Sequence, residues 1–351
     1  MKIQVPKQLD LFSTIDFVGS LRDIKEADSY DFDFDQTDFV EPFGMLLLSE
    51  ALCRFKKERP TVKKSCSNFK RMTYAGHMGL FKSFGLDWGN ETGEANGSST
   101  YIPITSYSVD EIVKAAADNL REVGDEVEAI CDRLASVLCG EEGTILHEYL
   151  RYSLRELMRN VVEHSESDCF LVCAQYWQGK GLAELAIIDH GIGLKDSFSR
   201  NPHVKPESDK DAINYALMPA ISGKAFKGAK TRSRSMWVNS GFGLYMTSRI
   251  CRNGGNFFLG SGDAGVLLTS HGDNAKRNVP IFHQGTVARM RIETNNLESL
   301  RISLERFGNE GRKFAAAYNN IVKIEPSAAS MMLREDFSPF ALGRLINRFK
   351  K

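Results

Sequence analysis

The stretch "ELMRNVVEHS", Glu156 to Ser165, sets Glu156, Asn160 and Glu163 at spacings of four and three, with His164 directly after. A carboxamide oxygen is a hard ligand that suits Mg²⁺, a cation that takes one or two protein ligands and leaves its other positions to phosphates and water. A carboxylate one helical turn away can hold a water or hydroxyl as general base. The periodicity over residues 144–165 is helical. Leu146, Leu150, Leu154, Leu157, Met158 and Val161 fall within a sector of roughly 120°, and Glu156, Asn160, Glu163 and His164 within a separate sector of about 100° beside it. Taken alone, this helix favours a solvated polar face. Two details weigh the other way: Asn is a middling helix former in a helix interior, and the polar stripe lies at the edge of the core-facing one.

Downstream come three glycine motifs. "DCFLVCAQYW" (168–177) and "LAELAIID" (182–189), on either side of "QGKG", read as a β-hairpin with apolar strands. The second strand runs into "DHGIGL", with Asp189, Gly191 and Gly193. A carboxylate at a strand end can accept a hydrogen bond from an exocyclic amine, and the glycines let the backbone come close to a flat ligand. "NSGFGLYMTSRICRNGG" then supplies Gly241, Gly243 and Leu244 before an apolar-periodic helix. A glycine turn opening a helix offers free N–H groups and a positive dipole end, which is what a phosphate requires. Finally, "HQGTVARMRIET" sets Gly285 and Thr286 at the start of an alternating strand. The third glycine of the Rossmann turn is missing, and so is the GK[ST] of a Walker loop.

Each motif is a weak signal by itself. In this order and spacing, over about residues 144–295, they resemble the GHKL superfamily of ATPases: gyrase, heat-shock chaperone, histidine kinase and mismatch-repair ATPases. The resemblance implies a Bergerat-fold α/β sandwich with ATP held between sheet and helices. By match, Asn160 would ligate Mg²⁺ and Asp189 would read the adenine amine. Gly191 and Gly193 would line the adenine and ribose, Gly241, Gly243 and Leu244 would approach the phosphates, and Thr286 would support Asp189 through a hydrogen bond. Glu156 matches the general base of the hydrolysing and serine-kinase branches, and "ELMRNVVEHS" looks most like the anti-sigma-factor serine kinases. Residues 195–240 correspond to the lid, with "DKDAINYALMPAIS" (209–222) as a lid helix. Lys224, Lys227, Lys230, Arg232 and Arg234 follow as solvated loop residues, of which one or two would reach the γ-phosphate on closure. His147, in "HEYLR", opens like a histidine-kinase acceptor box but lacks its later Pro and lies on the Asn160 helix itself.

Ahead of this region, "SYDFDFD" alternates Phe32 and Phe34 against Asp31, Asp33 and Asp35, as a half-buried strand with a solvated acidic face. A calcium loop counted from Asp31 fails, because Gln36 stands where Gly is needed and Pro42 where Glu is needed. A helix opens near Pro42 and closes on Lys56, Lys57 and Arg59. This part is similar to a small STAS domain of the anti-sigma antagonists, although Val40, Glu41 and Pro42, with Thr37 nearby, occupy the turn that normally carries the phosphorylated Ser/Thr. "MTYAGHMGLFKSFGLDWG" would be a later helix and strand. "SVDEIVKAAADNLREVGDEVEAICDRLASVLCG" reads as one long helix, or two broken near Gly124. "MMLREDFSPFALGRLINRFKK" is amphipathic and basic at its end, and docking on the core is its expected role.

The organisation expected is therefore α/β: a STAS-like unit over 1–95, a helical connector over 96–143, the ATP-binding domain over 144–300 and a helical extension over 301–351. Forty-five basic residues balance forty-five acidic ones, which argues against a whole-protein binder of nucleic acid. Seven cysteines without CxxC spacing read as free thiols in a reducing compartment. With no signal-like start and no long apolar run, a cytoplasmic protein without membrane contact is expected. The function expected is an ATP- and Mg²⁺-binding signalling protein with a protein partner and a homodimer left open. It would be a hydrolase or Ser/Thr kinase. A non-catalytic ATP-gated switch and a histidine-kinase-like domain acting in trans are the alternatives.

Overall fold

A computed structural model describes residues 1–223, 241–270, 275–295, 297–318 and 326–338. The first part contains β1 (Lys2–Gln4), β2 (Gln8–Leu9), α1 (Leu11–Ser20), β3 (Ser29–Asp33), β4 (Phe39–Val40), α2 (Pro42–Glu58), β5 (Lys63–Ser67), α3 (Thr73–His77) and α4 (Leu80–Ser83). β1, β3 and β5 form a parallel sheet in that order, and β2 pairs with β4. α2 starts on Pro42, whose missing N–H costs nothing in a first turn, and ends on Lys56 and Lys57, which suit its dipole. It is buried from Pro42 to Ser49 without a polar face, the mark of a helix enclosed on all sides. Phe55 packs edge-on against Tyr30 and Phe32 of β3, while Phe43 meets Phe258 in the second part of the chain. Where a later helix and strand were expected, two short helices, α3 and α4, stand instead, and residues 84–95 carry no strand. The acidic face of β3 is not simply solvated. Asp33 is buried, ion-paired to Lys2 at 2.7 Å and bonded by Asn68 at 2.7 Å, because β1 and β5 flank it on both sides.

The second part continues with β6 (Tyr101–Ser108), α5 (Val109–Asp118), α6 (Val123–Cys139), α7 (Ile145–Asn160), β7 (Cys169–Trp177), β8 (Leu182–Asp189), α8 (Gly193–Ser197), α9 (Asp209–Ala216), α10 (Gly243–Cys251), β9 (Asn256–Thr269), β10 (Lys276–Glu293), α11 (Leu300–Tyr318) and α12 (Pro326–Arg334). Its five strands run in the order β6-β7-β8-β10-β9, every neighbouring pair antiparallel. The stretch 96–143 is thus not purely a helical connector: it first supplies β6 to this sheet, because "YIPITSYS" buries Ile102 in one apolar cluster and Ile104 in the other. α5 and α6 are separate helices, broken over residues 119–122, with Gly124 inside the first turn of α6. Thr144 caps α7 by accepting from the His147 amide at 3.2 Å.

The chain is mixed α/β, and the five-stranded sheet is covered on both faces. Ala183, Leu185 and Ile187 of β8 enter one apolar cluster with α6, α7 and α10. Ala186 and Ile188, on the other face, enter a second cluster with α1, α2 and β3. This is why "LAELAIID" is nearly continuously apolar: both sides of the strand are inside. A four-charge group, three of its members buried and Arg291 half-buried, sits at the second face. Glu184 accepts from Arg291 Nε at 2.8 Å, from Arg289 at 2.9 Å and from the Phe43 amide at 3.2 Å, while Glu41, the residue before α2, faces both arginines. The C-terminal part docks, as residues 326–338 show. Asp336 pairs with Arg249 and Arg252 of the α10 region, the latter at 2.8 Å. Residues 339–351 lie outside the described residues. Among the described residues no helix is long and apolar enough to cross a membrane.

Candidate functional site

A cleft opens on the helical face of the five-stranded sheet, between α7, α8, α10 and the strands β8 and β10. Its empty space, open mouth included, is about 1160 Å³. Eight of the nine residues singled out in the sequence line it: Glu156, Asn160, Asp189, Gly193, Gly241, Gly243, Leu244 and Thr286. Gly191 does not. It serves the same corner from behind, since a Cβ there would sit 2.0 Å from the Ser165 carbonyl oxygen, so only glycine lets this turn close on the segment after α7.

The sequence brings these groups together from four separated elements. Glu156 and Asn160 share the last turn of α7. The chain then enters a π turn over Val161–Ser165 rather than continuing as α-helix; such bulges recur at functional sites. The Asn160 Nδ2 is buried without a hydrogen-bond partner among the described residues. Glu156 Oε1 accepts from Arg155 Nη2 at 2.8 Å. Its Oε2 faces the start of α10, where a Cβ on Gly243 would come within 2.2 Å of it. A carboxylate at that position meets the free N–H end of α10, whose first turn has no side-chain cap. Gly241, with φ of 72°, takes the left-handed conformation that allows the chain to turn there against Ile221.

Asp189 closes β8 and is buried. Loss of hydration is the largest influence on it and pushes its carboxyl up to about 6, against the opposing effects of the Gly191 amide, His190 and Thr286. The Gly191 amide donates to Oδ1 at 2.8 Å, and the backbone amide and hydroxyl of Thr286 both donate to the same carboxylate. Thr286 is not at a strand start: β10 begins at Lys276, and Gly285 and Thr286 occupy an irregularity in its pairing with β9. Bulges of this kind re-aim side chains beside sites. The walls between these polar ends are apolar: Val161, Ile187, Leu244, Leu259 and Ala288.

Several contributors were not singled out in advance. Ile187 and Ala288 were legible by strand alternation from Asp189 and Thr286. Ser261 was not: its hydroxyl donates to the Gly285 carbonyl at 2.7 Å and accepts from the Leu194 amide at 3.0 Å, fastening the bulge to α8. Arg159 and Glu163 both line the cleft and pair at 2.7 Å, so Glu163 is no plain surface residue. His164 lines it too. His147 is buried against Ser136 at 3.1 Å and Asp132 at 3.7 Å, away from the cleft lining. The helix expected over 209–222 spans Asp209–Ala216, with Ser208 and Asp211 forming a capping box, and Lys276 bonds its Asn214 at 2.6 Å. Lys224, Lys227, Lys230, Arg232 and Arg234 lie outside the described residues. Compared with protein-family models the chain matches none, and compared with curated proteins it matches none either.

Proposed function

We propose that this chain is an ATP- and Mg²⁺-binding signalling or regulatory protein of the GHKL type. Its Bergerat-fold domain, about residues 144–300, would hydrolyse ATP or transfer its γ-phosphate to a Ser or Thr of a protein partner. One observation carries the reading: Asn160, Asp189, the Gly241–Leu244 turn and Thr286 converge on a single cleft with apolar walls. Asp189 would accept from the amine of the base, the apolar walls would hold its rings, and the uncapped start of α10 would face the phosphates. Asn160 would hold Mg²⁺, which supplies neutralisation of phosphate charge. A one-carboxamide site of this kind fits Asn160, which lines the cleft with a carboxamide not spent on other described residues.

Glu156 decides between turnover and binding alone. As base it would orient and deprotonate a water or hydroxyl. Its pairing with Arg155 favours the second reading, a non-catalytic ATP-gated switch, because one carboxylate oxygen is already engaged by the guanidinium and is not open to orient a water. The start of α2, where a STAS-like unit would carry its phosphorylated residue, holds Glu41, Pro42 and Phe43, all buried. Thr37 is buried as well. A separate protein is therefore the better candidate acceptor than the chain's own N-terminal unit.

Calorimetric titration with ATP and Mg²⁺, followed by a turnover assay, tests the reading. Glu156→Ala should keep nucleotide affinity and abolish hydrolysis or transfer; unchanged turnover removes its role as base. Asn160→Ala should abolish Mg²⁺-dependent binding. An acid-stable phosphoprotein product indicates Ser/Thr transfer, and an acid-labile one histidine transfer.

A further inference from the structure

The corner that carries Asp189 and Thr286 is gripped from the opposite face of the sheet by the N-terminal unit. The Asp189 carbonyl oxygen lies 2.6 Å from Nε2 of buried His283. His190 stands edge-on to His283, ring centroids 5.6 Å apart. Glu50 of α2 hydrogen-bonds Nε2 of His190. One turn further on, Arg54 Nη1 donates to the Phe282 carbonyl at 2.9 Å, and Arg22, just after α1, lies 3.6 Å over the Phe282 ring. Both chain segments flanking the site's base-reading end thus touch residues of 1–95.

We propose that Glu50 is a positioning residue for this end of the cleft: its hydrogen bond to His190, the residue next to Asp189, sets a charged pair behind the base-reading carboxylate, so the N-terminal unit sets nucleotide affinity from the far side of the sheet. The proposal rests on the ATP-binding reading. The charges facing His190 are Glu50 and Lys57 from α2 and Asp189 from its own strand; His283 packs on it from β10, and Arg54 of α2 faces His283. The hydrogen bond from Glu50 raises His190 above its ordinary range, the largest of the influences on it, and Lys57 opposes. A protonated His190 in turn holds Asp189 down against its burial. Removing the Glu50 charge therefore lowers His190, and the loss of the cation raises Asp189.

The decisive variant is Glu50→Gln, which keeps size and hydrogen bonding. Affinity for ATP with Mg²⁺, measured on the full chain from pH 5.5 to 8.5, should fall roughly three-fold near pH 6.5, and the acid limb of its profile should move to higher pH. The variant should converge on the wild type at the alkaline end of the profile, once His190 has lost its proton in both. His190→Gln should give the same shift, and the double variant no more than that. An unchanged profile, or an equal loss at every pH, overturns the proposal. NMR titration of the His190 ring and the Asp189 carboxyl, without nucleotide, separates the two readings. If ATP does not bind but Glu50→Gln still lowers one group and raises the other, the charge link stands and the ATP reading falls. If neither group moves, the link falls whatever binds.

Discussion

The two faces of the five-stranded sheet use the same strands in opposite ways. Toward the N-terminal unit, charge is buried in balance: Glu41 and Glu184 against Arg289 and Arg291, with Asn256 accepting from Arg289 at 2.7 Å. Among the described residues only Arg289 Nε of this group is left over. Toward the cleft, β8 presents Asp189 with its carboxyl pushed up by burial, and α7 presents Asn160 with a buried, unpartnered Nδ2. A face that is paired and filled holds the protein together, whereas a face with polar capacity unspent is available to a ligand. The difference teaches where substitutions should cost stability and where they should cost binding.

The largest effect is expected at Glu184. Glu184→Ala leaves the Phe43 amide without its acceptor and the two guanidinium groups with Glu41 and, for Arg289, Asn256. Loss of one partner from a buried ion group costs about 3–5 kcal/mol, to be read from urea unfolding. Replacing Glu184 and Arg289 together by Met keeps the Arg291–Glu41 pair and should recover most of that loss. A cost below about 1 kcal/mol for Glu184→Ala would show that apolar packing alone joins the two faces, and the contrast drawn above would fail.

A second effect appears only along the pH axis. Asp189 is raised from the usual carboxylate value to about 6, so stability associated with it is full below about 4 and is lost as pH rises through about 6. His283 is lowered by burial to about 4, so its contribution is present above about 6.5 and lost as pH falls through about 4. The two slopes oppose one another between about pH 4 and 6. Asp189→Asn removes one of them. Relative to wild type, that variant should gain up to about 3 kcal/mol as pH rises from 4 to 7, measured by denaturant titration at several pH values. A stability difference independent of pH would mean that Asp189 is not strained by its burial.

The cleft was more legible than the back face. Helical spacing placed Glu156 and Asn160 together, and glycine turns marked the strand and helix ends that meet them, because such local requirements leave a local trace. Alternation in "ARMRIET" and the apolar run of "LAELAIID" gave strands, but neither could tell a solvated charge from one covered by α2. Arg289, Arg291 and Glu184 therefore carry no local sign of their partners, and Asp33 reads as a residue of a solvated strand face. The same blindness to long-range packing hid β6 within an apparent helical connector and the bulge at Gly285. His190 and Glu50 lie 140 positions apart, and nothing local could join them. The π turn after Asn160 left no trace either, since its residues fit an α-helix equally well.

The smallest stability effect should fall on Asn160, and its smallness is the informative part. A buried donor without a partner contributes nothing to folding and carries a desolvation cost. Ala is also the better helix former, by less than about 1 kcal/mol. Asn160→Ala should therefore shift the unfolding free energy by no more than about 1 kcal/mol, in either direction, while ATP affinity in Mg²⁺ falls at least about ten-fold. Since ten-fold in affinity corresponds to about 1.4 kcal/mol, calorimetry and urea unfolding on the same variant can be compared on one scale. If the variant loses more than about 2 kcal/mol of stability, Asn160 is part of the fold's own hydrogen bonding. The cleft would then differ from the back face in degree and not in kind.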